Sequence, residues 1–92
     1  MRRGWASYVI MVYDVGVERL PRVLRISRMY MTRVQNSVFE GELSGADLMR
    51  LRGALENVID KERDSVIFYL FRAPYEDKVV LGSAKGEPSQ FL

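Results

Sequence analysis

The 92-residue chain contains neither cysteine nor histidine. The first absence removes disulfides, thiol nucleophiles and thiolate metal sites. The second removes the commonest general base and the commonest transition-metal ligand. No apolar run approaches the ~18 residues of a membrane span. The opening MRRGWAS lacks the apolar stretch of a secretion signal, and no repeat, linker or low-complexity segment interrupts the chain. The expectation is a cytoplasmic protein without membrane attachment. One domain is expected over residues 1–92, with its core at about 7–82 and a C-terminal tail at 83–92. Any catalysis must rest on carboxylates, hydroxyls, arginines and a hard cation held through oxygen.

Charge is abundant and unevenly placed. Residues 1–35 hold Arg2, Arg3, Arg19, Arg22, Arg25, Arg28 and Arg33 against Asp14 and Glu18, a balance of +5, and the remainder carries −3. Eleven of the fourteen basic residues are arginine, whose planar fork grips phosphate in two hydrogen bonds. A basic half of this kind suits a polyanion, and it equally suits a solvated face on an arginine-rich surface.

Periodicity predicts the elements. SYVIMVYD, residues 7–14, alternates as a strand, and a helix follows from about Val17 or Glu18, because Pro21 is tolerated only in the first turn. On a helical wheel Leu20, Val23, Leu24, Ser27, Tyr30 and Met31 share one arc, with Arg19, Arg22, Arg25 and Arg28 opposite. TRVQNSVFEGEL reads as two short strands, roughly 33–37 and 38–43, around Asn36-Ser37. Ser44 and Asp47 match a capping box for a helix running to about Lys61. DSVIFYLFR is a fourth strand, and DKVVLG (77–82) a short last one. The order βαββαβ plus a strand predicts an α+β, ferredoxin-like sandwich with both helices on one face of an antiparallel sheet. Both faces of the first and fourth strands are apolar, so the face without helices needs cover. A homodimer packed sheet to sheet provides it.

Asp14 ends the first strand on the same face as Ile10 and Val12. It either caps the strand–helix turn or faces its symmetry mate across the dimer. Two facing carboxylates need a proton or a cation between them, and Mg²⁺ fits such a pair. The second reading describes a phosphodiesterase without histidine. Arg19, Arg22, Arg25 and Arg28 form a stripe able to contact phosphates, and Arg33 starts a strand near the same sheet end.

The pieces YVIMVYDVG and RVQNSVFEGEL, followed by a helix and DSVIFYLF, resemble the small CRISPR-associated adaptation proteins of the Cas two family, most closely its archaeal members. The resemblance covers residues 7 to about 82. It implies a dimer binding a shared Mg²⁺ through Asp14 of each protomer, cleavage of RNA or DNA phosphodiesters, and assembly with the Cas one integrase that inserts spacers. It also implies Tyr13, Arg33, Ser37 and Phe39 as site neighbours. Members divide between nucleases and non-catalytic DNA-holding scaffolds, so both functions are expectations.

Overall fold

The computed structural model describes residues 6–71 and 79–82. Its elements are β1 (Ala6–Asp14), α1 (Leu20–Arg28), β2 (Thr32–Gln35), β3 (Val38–Ser44), α2 (Gly45–Glu56) and β4 (Ser65–Phe71). The strands lie side by side in the order β2-β3-β1-β4, and every neighbouring pair is antiparallel. This is the expected ferredoxin-like arrangement, with β1 at the centre of the sheet.

Alternation along β1 divides the molecule. Val9, Met11 and Tyr13 point to the helices and are buried with Phe39 and Leu43 of β3, Val23 of α1, and Leu51 and Leu55 of α2. Register places Met11 between Phe39 and Phe68, one aromatic on each flanking strand. The arc predicted for α1 is the one that packs: Val23 and Ser27 are fully buried, Met31 is buried just beyond the helix, and Leu20, Leu24 and Tyr30 pack against the core. The Ser27 hydroxyl meets the Met11 sulfur at 4.0 Å, a weak acceptor that partly satisfies a buried donor.

On the other face Tyr8, Ile10 and Val12 lie in register with Phe71, Tyr69 and Ile67 of β4. No helix among the described residues covers them. Ile67, Tyr69 and Phe71 of the outer strand β4 are 45%, 51% and 39% exposed, so this face presents large apolar side chains to solvent.

Three boundaries differ from expectation. The first helix starts at Leu20 rather than at Val17 or Glu18, because the amides of Arg19 and Leu20 both bond the Gly16 carbonyl in a turn and the Arg19 side chain is drawn elsewhere. The second helix stops at Glu56 rather than Lys61. Residues 57–64 are folded into turns around Asp60, whose carbonyl accepts from Arg63 and Asp64 and whose carboxylate accepts from the Glu62 amide. Ser44 does cap that helix, its hydroxyl accepting from the Asp47 amide at 3.0 Å, but the Asp47 carboxylate turns outward to Arg50 instead of closing a capping box. The expected last strand is not formed by the described Val79–Gly82, which are irregular. Asp77, Lys78 and the tail 83–92 lie outside the described residues.

Candidate active site and nucleic-acid interface

β1 delivers Asp14 to the sheet's end as an exposed carboxylate. Its register partner is Ser65, the first residue of β4. It stands two positions after Val12, which lies between Val38 and Ile67, so the acid is at the margin of the uncovered apolar face. No group of three acidic or other metal-ligating side chains occurs among the described residues. One chain therefore offers no complete carboxylate cage at this point among its described residues. The Asp14 carboxylate suits Mg²⁺, which takes few carboxylates and keeps waters, and a second carboxylate could come from another copy.

The expected neighbours of Asp14 divide between the two faces. Tyr13 points the opposite way, is buried, and its hydroxyl donates to the Asn36 carbonyl at 2.6 Å while its amide donates to the Ser37 carbonyl. Phe39 is fully buried behind it, the two rings 5.8 Å apart and tilted. These aromatics brace the β2–β3 turn. Ser37 is exposed within that turn. Arg33 pairs in register with Phe39 and so shares the helix-side face, which puts the sheet between it and Asp14 within one chain. The expectation that Arg33 neighbours Asp14 overlooked this parity: Arg33 pairs with Phe39, which pairs with Met11 of the odd-numbered set of β1, and Asp14 belongs to the even-numbered one.

Arg33 is nonetheless poised to take a ligand. Its Nε is buried and has no hydrogen-bond partner among the described residues, and one of its terminal nitrogens makes only a long contact of 3.5 Å with the Asn36 carbonyl. With Arg28, Met31 and Thr32 it lines a depression of about 240 Å³. Arg22, Arg25 and Arg28 are exposed along α1. Two of them, Arg25 and Arg28, fall in its last turn, where cations complement the helix dipole.

Arg19 does not join that stripe. Its Nε and one terminal nitrogen grip the two oxygens of Asp64 at 2.6 and 2.9 Å. Those bonds hold the Asp64 carboxyl far below the usual carboxylate range; burial opposes them, and the amides of Asp60 and Gly16 reinforce them. The same bonds push the Arg19 guanidinium above its ordinary value. A depressed carboxyl stabilises the fold above its unfolded-state pKa and loses that contribution only as pH falls through the folded one, so the pair stays charged at neutral pH. Sequence reasoning missed Asp64. Its partner lies 45 positions away, and no local pattern links the two.

The match to known proteins covers this whole framework. Residues 7–79 fit the family model described as CRISPR associated protein Cas2. The chain belongs to this family. Among curated Cas2 relatives, a protein of Dictyoglomus turgidum is 44% identical over 86 residues, spanning 92% of this chain and 99% of its own, and is named a CRISPR-associated endoribonuclease. One from Methanothermobacter thermautotrophicus, named likewise, is 53% identical over 66 residues, spanning 72% of each chain. A solved Cas2 crystal structure superposes with a TM-score of 0.80 at 44% identity, covering 95% of this chain and 98% of that one. Streptococcus pyogenes Cas2, solved at pH 6.5, gives 0.64 at 37% identity, covering 70% and 84%.

Proposed function

We propose that this chain is a Mg²⁺-dependent endonuclease of CRISPR adaptation, cleaving RNA or DNA phosphodiester bonds at a site made by Asp14 from each protomer of a homodimer. The observation that carries the reading is the position of Asp14, an exposed carboxylate at the edge of an uncovered apolar sheet face. Pairing two such faces buries Ile10, Val12, Ile67 and Tyr69 and brings the two strand tips towards the symmetry axis. The two Asp14 carboxylates would hold the ion, and a bound Mg²⁺ would supply Lewis-acid chemistry at a phosphate. Arg22, Arg25, Arg28 and Arg33 hold the nucleic-acid backbone and fix its register without reading bases. Relatives that carry the endoribonuclease name support the reaction class.

The direct test is cleavage of labelled RNA and duplex DNA by the purified protein with and without Mg²⁺. Cleavage that requires the cation and disappears with a chelator is expected. Equal cleavage after chelation would end the metal-dependent reading.

The second reading is a non-catalytic dimer that holds DNA between subunits of the Cas one integrase in the cytoplasm. It is favoured by arginines whose exposure owes nothing to Asp14. Both readings require phosphate binding through α1. Replacing two of Arg22, Arg25 and Arg28 with alanine is expected to flatten the slope of log affinity against log salt by roughly two. An unchanged slope would reduce the stripe to a solubility feature.

A further inference from the structure

Asp64 is the buried charge for which the proposed chemistry has no use. Its side chain is 1% exposed. Each of its oxygens accepts one backbone amide and one guanidinium nitrogen. Oδ1 takes the Gly16 amide and an Arg19 terminal nitrogen, both at 2.9 Å. Oδ2 takes the Asp60 amide at 2.8 Å and Arg19 Nε at 2.6 Å. Ion-paired and fully hydrogen-bonded, the carboxylate meets the conditions under which a buried charge is tolerated.

These bonds join the two chain segments that flank Asp14. Gly16 and Arg19 lie just beyond Asp14 in the chain, and Ser65, the residue after Asp64, is the register partner of Asp14. The carboxylate thus closes a short ring that ties the backbone leaving β1 to the backbone entering β4, with Asp14 between them. Gly16 belongs to the same device. Among the described glycines only Gly82 has a positive φ, so no unusual backbone requires glycine at 16. Space is what a side chain there would contest: a Cβ would stand 2.6 Å from an Arg19 terminal nitrogen and 2.8 Å from a Glu18 carboxylate oxygen, so the fork that grips Asp64 would have to shift.

We propose that Asp64 is a positioning residue for Asp14: through Gly16 and Arg19 it holds the turn beyond the strand tip, so that the acid is presented at a set distance from its mate. The inference rests on the nuclease reading for its functional consequence, and on geometry alone for the clamp. Losing an ion pair that merely stabilises the fold lowers the melting temperature and leaves the turnover of folded molecules unchanged. Losing a positioning residue lowers kcat in molecules that are folded, with KM nearly constant, because the phosphate-binding arginines still hold substrate.

The experiment compares wild type with Asp64→Asn, Gly16→Ala and Asp14→Asn, each assayed well below its own melting temperature. Two quantities are read: the kcat and KM of Mg²⁺-dependent cleavage, and amide hydrogen exchange by NMR. Asp64→Asn is expected to lower kcat about tenfold or more with KM within about twofold, the scale on which residues that orient a metal ligand act. Exchange at Gly16 should quicken by about tenfold or more while Val9 and Met11 in β1 stay protected. Gly16→Ala, which displaces the fork without touching the carboxylate, should lower kcat in the same direction. It carries the test alone if Asp64→Asn does not fold. A wild-type kcat in folded Asp64→Asn, or unchanged exchange at Gly16, would overturn the proposal. If wild type and Asp14→Asn both lack cleavage, the nuclease reading fails instead, and exchange at Gly16 still decides whether the clamp holds the turn.

Discussion

Asp14→Asn is expected to leave fold, dimer and nucleic-acid affinity intact while lowering Mg²⁺-dependent cleavage by roughly a hundredfold or more, the scale of losing a central electrostatic group. The substitution is nearly isosteric, and Asp14 is exposed with no packing to lose. It exchanges a charged oxygen for an amide nitrogen that cannot ligate a cation. In the absence of Mg²⁺ it also removes repulsion between facing carboxylates, so the metal-free variant dimer should melt at or above the wild-type temperature. Three measurements check this: single-turnover cleavage of labelled RNA and DNA, salt-dependent binding, and thermal unfolding with and without Mg²⁺. Cleavage that survives at the wild-type rate would place the activity at another site. Spacer acquisition in cells that survives while cleavage is lost would select the scaffold reading.

The second large effect is expected at Val12. This side chain sits midway across the uncovered face, flanked by Val38 on β3 and Ile67 on β4. Burying an aliphatic side chain of this kind contributes about 1.5–3 kcal/mol. Val12→Asp replaces that gain with the cost of an unpaired carboxylate and, by two-fold symmetry, does so twice in one interface. Wild type is expected to elute with twice the 10.6 kDa mass of the chain in light scattering, and the variant as monomer or aggregate. Val17→Asp is the control: Val17 is exposed and lies in the turn before α1, so dimerisation should be unaffected. A monomeric variant should also lose cleavage, because each Asp14 then lacks its mate, while the arginine stripe still binds nucleic acid. A wild type that is a stable monomer at micromolar concentration would remove the argument from the uncovered face, and the shared-aspartate site with it.

Periodicity alone determined β1, α1 and β4 and the faces they present. A period of two in SYVIMVYD and SVIFYLF and a period near 3.6 in LPRVLRISR are backbone-level constraints that act within a few residues, so the strands, the helix arc and the apolar second face could all be read without knowing the fold. Asp14 was legible for the same reason, since it closes an alternation already established by Ile10 and Val12. What only the tertiary structure decided lies across long separations or at parity boundaries. Arg19 looks in sequence like one more arginine of a solvated stripe, and only chain crossing brings it to Asp64. Helix propensity would have carried α2 through Asn57 and Val58, but turns around Asp60 and the caged Asp64 ended it at Glu56. Arg33 and Asp14 approach the same sheet end, yet the β2–β3–β1 register set their side chains on opposite faces. Local patterns encode which way a side chain points within its own element. Which charges meet depends on how separate elements pack, and no period along the chain records it.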